Sequence, residues 1–518
     1  MGDGKQRLAH RSFFMFLLLV TAAGFSRSEA RADFGIDQVA ASAQRLARQP
    51  FQAPTGQVPE WLLKLSYDQW REIRFRPERA LWKDRGAPFE VQFFHPGLFY
   101  HRTVAVNVID AEGVRPLEFS ASYFDYGRND FATKIPDNLG FSGFRIHAPL
   151  KTPGYYDEVI VFLGASYFRA VGRQHVYGMS ARGAAIDTVE PSGEEFPYFK
   201  EFWLVSPPLN AKELTLYALL DSPSLTGAYC FVIQPGDQTI VAADVRLFLR
   251  RPVRKLGIAP LTSMFFHGEN TTRTFADFRP EVHDSDGLLL HLGTGEWLWR
   301  PLDNPRHLHI SGFQTINPRG FGLMQRDRDF DHHQDLETHA ELRPSVWIMP
   351  KGDWGAGHVE LIELPTGSEF EDNIVAFWVP EQAPTPAAPV SLSYAMSWCD
   401  DEPAGRDRGR VMATRRDYGM LRNDKPPSRD LHRFVVDFAS DALAAAAEGT
   451  VRGVVTVVGG DAAGKLVDQH VVKNPNTGAW RLTFQVRVKR PEPVELRAYL
   501  DKMGDTLTET WSYVILPE

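Results

Sequence analysis

From Trp480 to Lys489 the chain alternates without a break: Trp480, Leu482, Phe484, Val486 and Val488 fall between Arg481, Thr483, Gln485, Arg487 and Lys489. Successive side chains of an extended backbone point to opposite faces, so this pattern predicts a strand with one face in a core and the other in water. The same period returns in Phe434/Val436/Phe438 and in Leu507/Trp511/Tyr513/Ile515, while Gly459-Gly460-Asp461 and Asn474–Gly478 have the residues of hairpin turns. Several short antiparallel strands in residues 430–518 predict a small immunoglobulin-like β-sandwich.

Upstream the pattern is again that of strands. Phe89–Phe94, Glu158–Leu163, Leu214–Ala218, Val359–Glu363 and Ile374–Val379 are short, rich in β-branched or aromatic residues, and bounded by Gly, Pro, Asn and Asp. Two short helices are expected first. Ile36–Arg48 carries Ile36, Val39, Ala40, Ala43 and Leu46 at helical spacing, and Tyr67–Arg74 follows the cap Ser66. Because strands do not alternate with long helices and no Gly-rich phosphate loop occurs, a doubly wound nucleotide fold is excluded and a mainly all-β chain is predicted. With 518 residues, a single core is expected to split, since cores stop growing beyond roughly 250–300 residues. The expected division is a large β domain over 33–399, a linker over 400–429, dense in Arg, Asp, Gly and Pro, and the small sandwich over 430–518. Cys230 and Cys399 are the only cysteines. They make no disulfide framework, and one bridge or two buried thiols both stay open.

Residues 1–32 read as a secretory signal: Lys5, Arg7 and Arg11 precede an uncharged run from Ser12 to Ser26, and Ala30-Arg31-Ala32 supplies a cleavage site. The run falls short of the roughly 20 residues that span a bilayer, and Arg7 and Arg11 are not adjacent, so the general secretory route is expected. Removal of the signal takes the net charge from −8 to about −11. Nucleic acid is thereby excluded as a partner, because such binding needs a basic face that displaces counterions. A neutral partner suits the charge, and 12 Trp, 15 Tyr and 35 Phe offer flat apolar surfaces for it.

Five stretches concentrate chemistry. "FRPEVHDSDG", Phe278–Gly287, crowds Glu281, His283, Asp284 and Asp286 together. It reads as a turn, as a metal loop, or as half of an acid/base pair. Asp284-x-Asp286-Gly287 opens like a calcium loop, but the later oxygen ligands are missing, whereas Asp286-Gly287 favours a turn. "RDRDFDHHQDLETH", Arg326–His339, sets His332, His333 and His339 among Asp331, Asp335 and Glu337 without the His-Glu-x-x-His spacing of a zinc helix. It reads as a solvated, mobile loop of the kind that lids a site, and neither a metal nor a cofactor is expected. Glu369-Phe370-Glu371-Asp372-Asn373 abuts the strand Ile374–Trp378, where a partly desolvated carboxyl can stay protonated as a general acid. The alternative there is an ordinary strand-entry turn. Trp297 and Trp299 share one face of a strand, with Glu296, Leu298 and Arg300 on the other, and make either a sugar-stacking platform or a core ridge. Gly164–Thr188 is a loop-strand-loop that offers Tyr167, Phe168, Arg169, Arg173, His175 and Tyr177 as rings and donors.

"GASYFRAVGRQHVYGMSARGAAIDT" (Gly164–Thr188), "APLTSMF" (Ala259–Phe265), "RPEVHDSDGL" (Arg279–Leu288), "RGFGLMQRDRDF" (Arg319–Phe330), "RPSVWIMPKGDWGAG" (Arg343–Gly357), "EDNIVAFWVPE" (Glu371–Glu381) and "FEVQFFHPGLFY" (Phe89–Tyr100) together resemble the osmoregulated periplasmic glucan biosynthesis proteins of the G and D types. The likeness runs through nearly the whole mature chain, and the lack of a twin-arginine signal is closer to the G type. The resemblance implies a large galactose-mutarotase-like β-sandwich, a linker and an immunoglobulin-like domain, located in the periplasm and engaged in making β-1,2-glucan. Hydrolysing members are similar to inverting β-1,2-glucanases. Carried over by position, their general acid falls on Asp372 with Glu369 nearby, and their base-side carboxylate on Asp284. Trp297, Trp299, Arg300 and His339 are the expected glucan-binding residues. Some hydrolysing members carry a proton-relaying tyrosine on the loop corresponding to Asp335–Leu342, where this chain has Ala340 beside His339. Hydrolase, transglycosylase and non-catalytic scaffold all stay open, as does the oligomeric state, with a homodimer among the options. An inner-membrane glucosyltransferase is the expected protein partner.

Overall fold

A computed structural model describes residues 34–273, 275–401, 408–419, 428–489 and 492–517. The expected signal and parts of the expected linker lie outside the described residues. Both predicted helices form, the second ending at Arg71 because Arg74 already belongs to the short strand Arg74–Phe75. Ile36–Ala47 buries Val39, Ala40 and Ala43, and Tyr67–Arg71 starts at Ser66, whose hydroxyl accepts from the Gln69 N–H at 3.2 Å while the Gln69 side chain accepts from the Ser66 N–H at 3.0 Å. Among the described residues no helix is long and apolar enough to cross a membrane.

The predicted strands sit in two large sheets. One follows the order Glu90–Phe94, Gly143–Pro149, Tyr156–Leu163, Tyr167–Ala170, Ser180–Arg182, Leu256–Ser263, Ile374–Pro380, Ala356–Glu363 and His309–Ile316. The other passes through Tyr198–Val205, Leu214–Asp221, Leu225–Gln234, Thr239–Leu249, Val390–Cys399, Ser345–Lys351, Gly320–Met324, Gly287–His291 and Trp297–Pro301. One continuous core joins them, with Phe144, Ile160, Phe162, Leu261 and Trp378 from the first and Leu216, Phe231, Val241, Leu323 and Trp398 from the second. The period of two explains the split. In Thr239–Leu249 the residues Val241, Ala243, Val245, Leu247 and Leu249 are buried, and the alternate Asp244 and Arg246 face out. Cys230 and Cys399 form no disulfide. Cys230 lies level with Asp244 and, through it, with Ser393, which puts it about 20 Å along the strand from Cys399 at a strand's rise per residue.

Near the C-terminus, Arg410–Tyr418, Leu431–Ala439, Trp480–Val488 and Gly464–Lys473 form a four-stranded sheet. It packs Phe434, Val436, Phe438, Trp480, Leu482, Phe484 and Val486 against Leu496, Ala498, Leu500, Trp511 and Tyr513. The facing strands Arg452–Val457, Val494–Lys502 and Thr510–Ile515 are not a separate layer: Thr510 and Trp511 pair in parallel with Leu298 and Trp299, so this layer extends the second large sheet. Two expectations change here. Arg410–Tyr418, inside the expected linker, is an edge strand, and its charges find partners across the sheet, Asp417 with Arg433 and Arg415 with Asp437. Gly459-Gly460-Asp461 joins strands of opposing layers rather than a hairpin, whereas Asn474–Gly478 does connect neighbours.

Candidate functional site

The segment Ser263–Met264–Phe265 is the spine of the site. On one side Ser263 pairs with Ile374, and the Asn373 side chain accepts from the Phe265 N–H at 2.8 Å while donating to the Phe265 and Leu364 carbonyls at 3.0 Å. On the other side Phe265 pairs with His283, the Asp284 N–H donates to the Met264 carbonyl at 2.8 Å, and the buried Ser263 and Ser285 hydroxyls meet at 2.7 Å. Asp372 and Asp284, 88 positions apart in sequence, therefore flank the same three residues. Two strand spacings separate their backbones by about 10 Å, and their charges interact.

Each carboxyl has its own environment. Asp284 is nearly enclosed. Burial raises it above the usual carboxylate range, the Arg343 guanidinium bonded to it pulls back, and the negative charge of Asp372 adds to the rise. Asp372 is open to solvent on one side, yet the protein around it desolvates the carboxyl and raises it, while Arg169 and Arg182 oppose. Arg169 acts on both acids. Arg182 is fixed from beneath, donating to Thr262 Oγ1 at 3.0 Å and Glu194 Oε1 at 2.7 Å, and its guanidinium stacks against Tyr167 and Phe196. Tyr167 feels the Asp372 charge and Tyr100 that of Arg169. A proton donor or acceptor pair, cations that tolerate charge on either member, and aromatic faces beside them are the parts that glycosyl chemistry uses.

Glu369 is a tether. Its carboxylate accepts from Arg279 Nη1 at 2.7 Å, and the same guanidinium holds Asp335 at 3.2 Å and Asp277 at 2.9 Å. The bond from Arg279 holds Asp277 at about 2. For Asp335 burial pushes upward, but bonds from Thr338, Glu337 and Arg279 hold it at about 2 as well. Beside this knot Phe278, Leu336 and Phe370 are 80 %, 74 % and 90 % exposed. His339 takes a left-handed conformation with φ of 50° and pairs with Glu341 at 3.2 Å. No hydrogen bond links it to Asp284 or Asp372 among the described residues. Ala340 is buried, and its carbonyl receives Gln325 Nε2 at 3.1 Å.

Trp297, Trp299 and Arg300 do not form a saccharide platform. Trp297 stacks on His291 and Trp347, and the Arg326 guanidinium covers the Trp299 ring at 3.6 Å. Arg300 binds Glu495 and Ser512. All three are buried where the second large sheet meets the C-terminal layers, so the core-ridge alternative applies. Gly287 belongs to this packing, because a Cβ there would overlap the Trp299 indole. It opens a strand, and Asp286 alone shapes the bend, accepting the Arg326 and Asp327 N–H groups at 3.2 and 3.0 Å. The Arg326–His339 stretch is less solvated than its composition predicts, with Arg326 paired to Glu509 and His333 buried. Glu281, Asp327 and His332 bring possible metal-ligand atoms within 4.8 Å of one another, but Glu281 already bonds His283 and Asp327 bonds His332.

The positions that composition and spacing left without a role are Arg169, Arg182, Arg343, Tyr100 and Tyr167. Three of them lie in Gly164–Thr188, whose rings and donors were visible. Arg343 carries no local signal, since its partner is 59 residues away.

The family model for periplasmic glucan biosynthesis protein MdoG matches residues 34–515. A glucans biosynthesis protein G from Ralstonia nicotianae is 50 % identical over 503 residues, covering 96 % of this chain and 99 % of the relative. Proteins of the same description from Sodalis glossinidius and Pseudomonas paraeruginosa are each 45 % identical, covering 93 % of this chain and 93 % and 92 % of their own lengths. With the match running from one end of the described fold to the other, the chain belongs to the MdoG family of periplasmic glucan biosynthesis proteins.

Proposed function

We propose that the chain is exported to the periplasm and acts there on β-1,2-glucan during glucan biosynthesis, cleaving or transferring glycosidic bonds with inversion at the anomeric carbon. The family and the description shared by its relatives support the setting. The observation that carries the chemistry is the suspension of Asp372 and Asp284 on opposite sides of Met264–Phe265. Backbones about 10 Å apart let both carboxyls reach one glycosidic bond, and inversion is taken from the resemblance to inverting β-1,2-glucanases.

In this reading Asp372, raised by desolvation, donates its proton to the glycosidic oxygen as the bond from that oxygen to the anomeric carbon breaks. Arg169 and Arg182 then stabilise the carboxylate left behind. A water or sugar hydroxyl attacks from the opposite face and gives its proton to Asp284. Like charges resist simultaneous ionisation, so the Asp372 charge favours the protonated form of Asp284 while Arg343 opposes it. Incubation of the purified protein with linear β-1,2-glucan, followed by chain-length analysis, tests this. New chain lengths that disappear in Asp372→Asn, with glucan binding retained, are expected; unchanged glucan with the wild type refutes catalysis.

A second reading, a scaffold that presents nascent glucan to a membrane glucosyltransferase, draws support from the Arg343–Asp284 bond. That bond occupies the base-side carboxylate, and Ala340 supplies no hydroxyl to relay a proton past it. The same incubation separates the two.

A further inference from the structure

A recess lies at the far edge of the first large sheet, beside strand Glu90–Phe94. It encloses about 600 Å³ and is lined by Arg71, Arg74, Arg76 and Arg145, against only Glu78 and Asp125. Four guanidiniums around one cavity contrast with a chain whose net charge is −8. Arg145 is committed to Glu158 and Gln92, both at 2.8 Å, and Arg76 bonds the Phe124 carbonyl. Arg71 and Arg74 are exposed and form no ion pair within 4.0 Å among the described residues, the Glu72 charge being the one that Arg74 acts on. Exposed arginines next to a concave aromatic wall keep their donors for whatever enters.

The wall is apolar where the rim is cationic. Trp70 and Phe94 line it, Trp70 resting on Tyr100 with ring centres 5.1 Å apart and Phe94 lying under the Arg145 guanidinium. His95 also lines the cavity and is 3 % exposed. Its Nδ1 faces the Pro96 carbonyl at 2.6 Å and must donate to it, which leaves Nε2 as a buried acceptor with no donor. Burial holds this ring down at about 4, so it stays neutral, packed edge-on among Phe119, Phe124 and Tyr126.

We propose that this recess is an anion subsite that takes a phosphate or carboxylate group at Arg71 and Arg74, with any sugar ring carried beside it lying against Trp70. Free anions and anions borne on a saccharide share this chemistry. The site does not depend on the catalytic reading of Asp372 and Asp284.

Calorimetric titration at low ionic strength with inorganic phosphate, glucose 6-phosphate and glucose distinguishes the sources. Saturable binding of glucose 6-phosphate, absent for glucose and weakened by salt, is expected. Phosphate that binds as tightly assigns the recess to a free anion, and phosphate that binds more weakly assigns it to an anion on a sugar. The double variant Arg71→Gln/Arg74→Gln removes two exposed, unpaired side chains, so its melting temperature should match the wild type while affinity falls about tenfold or more. Asp372→Asn should bind the anion as the wild type does. No saturable binding of either anion, or equal affinity in the double variant, overturns the proposal.

Discussion

Replacing Arg343 by Gln takes away the guanidinium that bonds Asp284 and leaves the fold's strands untouched. Burial already lifts the Asp284 carboxyl, and Arg343 is the largest influence pulling it back. Its removal therefore lifts the carboxyl further, and the ionised form that must receive a proton becomes scarcer at any pH on the acid side. Both side chains are 13 % exposed, so solvent screening takes little from the pair. A hydrogen bond to a charged group contributes about 1.5–3 kcal/mol, which converts to roughly a ten- to hundredfold loss of rate on the acid limb. The rate should recover as pH rises, giving a narrower bell whose acid limb has moved upward. Profiles of kcat/KM against pH on linear β-1,2-glucan measure this directly. Gly178→Ala offers an independent perturbation, since a Cβ there would stand 3.0–3.3 Å from the Arg343 stem and push it off Asp284. An acid limb that stays in place in both variants, with melting temperatures near the wild type, would mean that Asp284 is not the group that sets it.

The Arg279 knot makes a stability prediction with a definite sign. Asp277 and Asp335 are held at about 2 in the fold, below the roughly 3.9 of an unfolded chain, so their contribution is present above about pH 4 and is lost as pH falls through about 2; the gap in melting temperature between wild type and Arg279→Gln should close over that window. Phe370→Ala and Phe278→Ala remove exposed rings that flank the Arg279–Glu369 bond, so KM for glucan should rise with melting temperature unchanged, and an unaltered KM would exclude them from saccharide contact. Gly287→Ala forces a Cβ into the Trp299 indole and should lower stability by about 1–3 kcal/mol in chemical denaturation.

The fold was legible because its signal is local. Period two in Thr239–Leu249 and Trp480–Val488 assigns faces residue by residue, and Ser66 with Gln69 writes its own helix start. Where the sequence misled, the deciding contact lay far off. Arg410–Tyr418 looks like a connector until Asp437 and Arg433 supply partners for its charges. Trp297 and Trp299 fit a platform as well as a core until the C-terminal layers close over them.

By itself the sequence determined an acidic, mainly β chain and the two acidic stretches around Asp284 and Asp372, because composition and alternation act within a few residues. Only tertiary structure decided that Met264–Phe265 has those stretches on either side of it, that Arg169 stands within reach of both acids, that Arg343 bonds Asp284, and that Glu369 serves as a tether. Charge interaction and desolvation depend on distance in space, and no spacing along the chain encodes that distance.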